Sequence, residues 1–183
     1  MLRKIQIMKS SAELEQQAAL QVLNLMAAAA RTAPKTRGID NLRTLALVEA
    51  SDKDRLKAKM RELAVAEKRP GLERDANCIA NSPAILLLGV ESNSSGLNCE
   101  QCGHATCESL EKAGGVCAFN SIDLGIALGS AVGVAADCRV DTRVMFSIGR
   151  AAVALGLFEP KVKQVLGLPL SITGKSPFFD RKA

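Results

Sequence analysis

The chain changes character abruptly at Glu91. Ala84 to Val90 (Ala-Ile-Leu-Leu-Leu-Gly-Val) is an unbroken apolar run, and Glu91 to Cys117 is rich in Ser, Asn, Gly and Cys. A short continuous apolar run bounded by polar residues reads as a buried central strand. The polar segment behind it has little to bury, but it holds four cysteines, Cys99, Cys102, Cys107 and Cys117. Any fold for this chain must bury one central strand and accommodate an inserted, cysteine-held loop directly after it.

The cysteines follow the spacing C-x2-C-x4-C-x9-C, four thiols within 19 residues. Such a set can close around one soft metal centre. The first pair suits a tight loop whose amides point at the bridging sulfides of an iron–sulfur cluster and stabilise its charge. Gly103, directly after Cys102, permits the positive φ such a loop needs. Cys107 is expected to open a short helix over 107–112, whose dipole favours a thiolate at its start. Structural zinc is the alternative, because C-x2-C also opens zinc knuckles, and disulfides or free thiols are a third reading. Cys138 is the substitute for Cys117 as fourth ligand. Cys78 reads as a small buried hydrophobe. His104, the single histidine, reads as a loop residue beside the centre.

Around this loop the sequence reads as one domain with an insertion, as 183 residues allow. Ser10 and Glu13 form a capping-box pattern ahead of a long helix ending near Thr32, and Pro34 stops it. Leu42 to Ala50 reads as a strand. Ser51 and Asp54 are expected to cap a charged helix over 52–68, which Pro70-Gly71 breaks. Asn120 to Ala136 and Thr142 to Leu157 read as helices, the second capped by Asp141, and Val162 to Leu170 as a closing strand. Gly125, Gly129 and Gly133 make a bare ridge on one helix, expected to admit a second helix within the chain or across a dimer, with a flat cofactor lying against the ridge as the alternative. The organisation expected is an N-terminal α+β part (1–90), a cysteine-rich module (91–119), and C-terminal helices with a closing strand (120–183).

Several functions are disfavoured. The chain has no Trp or Tyr and 5 Phe, too few rings for stacking single-stranded nucleic acid. Its net charge of +5 lies in residues 1–75, which carry 15 Lys and Arg against 10 Asp and Glu, without a like-charge block. That pattern reads as a solvated face of mixed sign rather than a nucleic-acid surface. The uncharged stretches Ala76–Val90 and Leu124–Ala136 are shorter than the ~20 residues a membrane span needs. Met1–Ile7 has no signal-peptide pattern, so a cytoplasmic location is expected, where cysteines favour metal or redox chemistry over disulfides. No poised nucleophile is visible, and one histidine argues against catalytic zinc. Gly174-Lys175-Ser176 is not a phosphate loop, because Pro169 stands where its first glycine belongs.

Asn98 to Glu108 (Asn-Cys-Glu-Gln-Cys-Gly-His-Ala-Thr-Cys-Glu) resembles the four-iron module of corrinoid iron–sulfur proteins and related electron-transfer subunits. The wider chain resembles an uncharacterised family of ferredoxin-domain-containing proteins. That resemblance rests on Ala29–Lys35 with Gly38–Asn41, Cys99–Cys107, Ile122–Ala131, Asp141–Gly149 and Leu168–Lys175. It implies a 4Fe-4S cluster on Cys99, Cys102, Cys107 and Cys117. The scaffold is similar to FMN-dependent nitroreductases, through the helix ending Ala-Ala-Arg-Thr-Ala-Pro, Asp123–Ala127, and Leu155–Leu157 before a strand ending Gly-Leu-Pro. This likeness implies an α+β fold with an antiparallel sheet flanked by helices, a homodimer, and FMN contacted by Arg31, Lys35, Arg37 and Asn41. Two function classes follow. One is a redox protein passing electrons between the cluster and FMN or a partner protein. The other is a non-enzymatic binding or sensing module shaped by a structural metal.

Overall fold

Burial on both sides of one strand organises the molecule. The computed structural model describes residues 8–179, so Met1–Ile7 lie outside the described residues. The central strand β2 (Ile85–Glu91) is buried along its whole length. It pairs antiparallel with β1 (Leu42–Leu47), from Leu42 opposite Val90 to Leu47 opposite Ile85. On its other side it pairs antiparallel with β4 (Val162–Ser171), from Ile85 opposite Pro169 to Val90 opposite Gln164. A two-residue β3 (Asp141–Thr142) adds to the far end of β4, giving the order β1-β2-β4-β3.

Successive side chains of a strand point to opposite faces, so β2 feeds two cores. Leu86, Leu88 and Val90 join a cluster with α1 (Ser11–Thr32) and α5 (Ala118–Asp137). Ile85 and Leu87 join a second cluster with α2 (Ala50–Ala66), α3 (Pro70–Cys78) and α6 (Phe146–Ala154). Helices cover both faces, which is why β2 lacks the usual polar alternation of an antiparallel strand. Each fully buried Leu or Ile contributes roughly 1.5–3 kcal/mol, so both clusters are substantial. Phe178 closes the second core and is fully buried. A short helix, α4 (Cys107–Lys112), lies between β2 and α5.

The local signals at the start of the chain hold. The Ser10 hydroxyl accepts from the Glu13 N–H at 3.3 Å, and the Ser10 N–H donates to Glu13 Oε2 at 2.7 Å. Helix α1 buries Ala19, Val22, Leu23, Met26 and Ala30, a spacing of three and four residues. It stops at Ala33, whose extended backbone is what Pro34 requires of the residue before it.

Other expectations are corrected. The strand at Leu42 ends at Leu47 rather than Ala50, and α2 begins at Ala50 with Glu49 as its N-cap and no side-chain cap. Ser51 and Asp54 lie inside its first turns. Pro70-Gly71 opens α3 instead of breaking a helix, because proline's fixed φ and missing N–H suit a first helical turn. The preceding helix ends at Ala66, and Lys68 has φ +53°. Asp141 does not cap a helix. Asp141 and Thr142 pair with Ser171 and Leu170, Met145 bridges to Gly167, and α6 begins only at Phe146. Cross-strand partners about 30 residues away override the local capping preference there.

Two kinds of glycine differ sharply. A Cβ on Gly149 would lie 1.7 Å from the Val165 carbonyl oxygen, so α6 rests directly on the β4 backbone. A Cβ on Gly125, Gly129 or Gly133 would meet nothing within 4 Å. Among the described residues, therefore, no helix uses that ridge, and the expectation of packing within the chain fails. Helix α5 is also long and apolar enough, by length and composition, to cross a membrane. The count of uncharged residues missed this because Asp123 lies within it. In this fold α5 packs against α1 and the sheet, burying Leu124, Ala127, Leu128, Ala131 and Ala135.

Asp123 pins the chain between α1 and β1. Its carboxylate accepts from the Thr36 N–H at 3.0 and 3.1 Å and from the Thr36 hydroxyl at 2.9 Å.

Gly149→Ala should destabilise the fold by about 1–3 kcal/mol, since backbone must move, read as a lowered thermal midpoint by circular dichroism. Gly71→Ala, which meets only the end of the Arg74 side chain at 3.6 Å, should be neutral or gain up to about 1 kcal/mol. Asp123→Ala removes a buried charged acceptor and should cost about 1.5–3 kcal/mol, with faster hydrogen exchange at the Thr36 amide.

Candidate metal centre and the loop beside it

Glu91 marks the point where β2 leaves the sheet. Its buried carboxylate pairs with Arg43 and, at 3.0 Å, with Lys161. Burial opposes its ionisation, but hydrogen bonds from Lys161 and Asn93 and the Arg43 charge hold it below the usual carboxylate range. The Glu91 N–H donates to the Asn41 carbonyl at 3.0 Å, and the Ser92 N–H donates to the Lys161 carbonyl at 2.8 Å. From there to Cys107 the described chain has neither helix nor strand.

This segment is shaped by individual bonds and tight turns. The Ser92 hydroxyl donates to the Gly115 carbonyl, Ser94 bonds Glu111, and the Lys163 ammonium donates to the Gly114 carbonyl at 2.8 Å. Gly103 has φ +79°, as its place after Cys102 leads one to expect. Asn98 and Glu100 also adopt positive φ, +46° and +61°. The chain thus coils around the first cysteine pair.

Cys99, Cys102, Cys107 and Cys117 line one very small cavity of about 10 Å³, together with Ser95, Asn98, His104 and Thr106. All six cysteines are free thiols, so the disulfide reading is not supported. Among the described residues, no three His, Cys, Asp or Glu side chains converge closely enough to hold a metal ion. The four thiols border a common space without yet forming a closed ligand shell. Cys138 lies at the opposite end of α5 from Cys117, about 30 Å away for a helix of 20 residues. It is therefore no substitute for Cys117. Cys78 is half-buried against the second core, and burial followed by the nearby Asp75 charge pushes its thiol up.

The two helical cysteines are held differently. Cys107 is the first residue of α4, as expected, after an N-cap at Thr106 whose hydroxyl accepts from the Ser109 N–H at 3.1 Å. The Cys107 N–H donates to Asn98 Oδ1 at 2.8 Å, and the Asn98 N–H donates to Cys107 Sγ at 3.4 Å. Cys117 is buried at the N-cap of α5, its Sγ 3.7 Å from Ser95 Oγ. Burial raises its thiol, but bonds from the Ser95 backbone and hydroxyl and from the amides of Phe119 and Asn120 outweigh this. The net effect holds Cys117 below an ordinary cysteine, favouring the ligand form of the sulfur.

Of the four residues read as flavin contacts, Arg31 lies in the last turn of α1, and Lys35, Arg37 and Asn41 lie in the connection from α1 to β1. Arg31 donates to Asp40 at 2.5 Å and to the Leu42 carbonyl at 3.0 Å. Lys35 donates to the carbonyls of Ala30, Arg31 and Ala33 at 3.2, 2.8 and 2.8 Å, closing the end of α1. Arg37, at φ +56°, donates to the Ser95 carbonyl at 2.8 Å. Asn41 Oδ1 accepts from Asn93 Nδ2 at 2.8 Å. The loop and the cysteine segment are therefore joined through Arg37–Ser95 and Asn41–Asn93. Sequence reading missed Ser95, Asn98 and Asp123. Asn98 carried a faint signal, since asparagine beside a cysteine pair tolerates positive φ. Asp123 entered only within the Asp123–Ala127 match, and its bond to Thr36 left no local signal because the partner is 87 residues away.

Comparison with known proteins follows the same lines. A family described as "uncharacterized protein containing a ferredoxin domain (DUF2148)" matches residues 113–181, which include Cys117. An uncharacterized protein of Archaeoglobus fulgidus is 44% identical over 166 residues, covering 86% of this chain and 88% of its own. Among solved structures, a nitroreductase with bound FMN from Desulfitobacterium hafniense superposes with TM-score 0.59 at 14% identity, covering 92% of this chain and 80% of that one. The hypothetical oxidoreductase YcnD from Bacillus subtilis superposes with TM-score 0.54 at 21% identity. That match covers 85% of this chain, which spans 58% of YcnD's length. At such identities the likeness establishes the fold, helices flanking an antiparallel sheet in the nitroreductase manner. With the archaeal relative matched over most of both lengths, the chain belongs to the uncharacterized ferredoxin-domain protein family.

Proposed function

We propose that this protein is an iron–sulfur redox protein, with a 4Fe-4S cluster on Cys99, Cys102, Cys107 and Cys117 passing electrons to or from a second centre. The observation that carries this reading is the shared cavity of four cysteines whose spacing suits a cluster. The ferredoxin-domain description of the family supports it. The donor set present fits the group: the four thiols are free and border one space. When bound, such a cluster supplies a one-electron carrier whose potential follows its charge, burial and hydrogen bonds.

The chain's own residues have distinct tasks in this reading. The turns at Asn98, Glu100 and Gly103 bring the thiols to one cavity, so residues 91–119 act as a module between the 1–90 and 120–183 parts. Ser95 and the first amides of α5 stabilise charge on Cys117. The second centre is FMN, reached from Arg31, Lys35, Arg37 and Asn41, or the cofactor of a partner protein. The FMN named for the Desulfitobacterium nitroreductase supports the first choice. We further propose a cytoplasmic homodimer that binds neither nucleic acid nor membrane.

One observation favours the second function class. Lys35 makes three carbonyl bonds and Arg31 is paired with Asp40, so these cations already have partners within the protein. A protein without flavin would use the cysteine module to hold a binding surface in shape.

Protein purified without oxygen should show broad brown absorbance with iron and sulfide in near-equal amounts. With no Trp or Tyr to absorb near 280 nm, cofactor bands dominate the spectrum. Resolved flavin bands would add FMN. A colourless protein carrying one zinc would overturn the redox reading. Cys102→Ser and Cys117→Ser should each lower bound iron at least severalfold, whereas Cys138→Ser should leave it unchanged, as measured by metal analysis after desalting.

A further inference from the structure

Asn98 stands out among the residues around the cavity because it makes both halves of a reciprocal clasp. Its backbone N–H donates to Cys107 Sγ at 3.4 Å, and its side-chain Oδ1 accepts from the Cys107 N–H at 2.8 Å. Asn98 immediately precedes Cys99, and Cys107 follows nine residues later. The two bonds therefore close the loop that carries Cys99 and Cys102 and bring its base against the third cysteine.

The clasp is built at conformational expense. Asn98 sits at φ +46°, a region that most side chains avoid and that Asn, Asp and Gly tolerate. The Cys107 N–H belongs to the first turn of α4, where a helix leaves its amides without partners of its own. Thr106 takes the Ser109 N–H of that turn, and Asn98 takes that of Cys107. Asn98 is itself exposed and belongs to neither core, so the burial that stabilises the fold does not explain its arrangement.

We infer that Asn98 is a positioning residue for the iron–sulfur centre. It sets the separation between the Cys99-x2-Cys102 pair and Cys107 before metal arrives, and keeps an N–H aimed at the Cys107 sulfur afterwards. The inference rests on the iron–sulfur reading above. Groups that orient metal ligands without touching the metal commonly change its retention 10–100-fold when removed.

The test uses the full chain, reconstituted with iron and sulfide without oxygen, as wild type, Asn98→Gly and Asn98→Asp. Asn98→Gly keeps the positive φ and the backbone N–H but removes the side-chain acceptor. Asn98→Asp keeps an acceptor in place. Bleaching in a chelator, the electron paramagnetic resonance spectrum of the reduced cluster, and thermal melting of the metal-free protein are compared. Asn98→Gly should lose its cluster at least about 10-fold faster, with an altered resonance spectrum. Asn98→Asp should stay close to wild type, and the metal-free melting of both should be unchanged, as an exposed site implies. Equal cluster lifetimes and spectra in Asn98→Gly and wild type would overturn the inference alone, as would an Asn98→Asp variant failing like Asn98→Gly. A wild type that takes up no iron and sulfide would overturn the iron–sulfur reading, and the inference with it.

Discussion

The antiparallel pairing of β1 with β2 is the constraint on which the rest depends. β2 is covered on both faces, so its position and register are held by two hydrophobic clusters at once. Setting Leu42 opposite Val90 necessarily brings Asn41, just before β1, beside Glu91, at the end of β2. The loop that follows α1 and the cysteine segment that follows β2 are thereby made neighbours, although they are about 50 residues apart in sequence. The Glu91 N–H to Asn41 carbonyl bond and the Asn93–Asn41 contact are direct consequences of that register.

Helix α5 then ties these parts together. Its first turn starts at Cys117, and Asp123 further along takes both the N–H and the hydroxyl of Thr36. One rigid helix therefore positions a candidate ligand and anchors the neighbouring loop. Burying a carboxylate is costly unless it is well satisfied, and Thr36 supplies that satisfaction. The same economy applies to Glu91, which is buried only because Arg43 and Lys161 flank it. Charged groups thus mark the borders of the cysteine segment, while its interior is shaped by left-handed turns and amide bonds.

The fold itself does not assign the chemistry. Nitroreductase-like scaffolds bring a long helix, a sheet and a connecting loop together, and function follows from what is grafted onto them. Four of the six free cysteines lie in the segment from the end of β2 to the start of α5. The cations of the neighbouring loop are already bonded within the protein, Lys35 to three carbonyls and Arg37 to Ser95. Any second centre in that loop would compete with these bonds. In the cysteine cavity the contacts to sulfur are few and long, Asn98 N–H to Cys107 Sγ at 3.4 Å and Cys117 Sγ to Ser95 Oγ at 3.7 Å.

What the sequence determined by itself was local and periodic. The Ser10–Glu13 capping box, the stripe of α1, the buried run of β2, the positive φ of Gly103 and the helix beginning at Cys107 all rest on interactions within a few residues. The C-x2-C-x4-C-x9-C spacing likewise placed four thiols in one short segment, and they border one small cavity without converging to a ligand shell. Tertiary structure decided the rest. Asp141 became a strand because Ser171 lay beside it, and Gly149 is tolerated against Val165 only because α6 rests on the β4 backbone. Thr36 found Asp123 across 87 residues, and Ser95 came to bridge Cys117 and Arg37. Such pairings leave no mark in local propensity, since their energy appears only after the sheet register has brought distant segments within hydrogen-bonding reach.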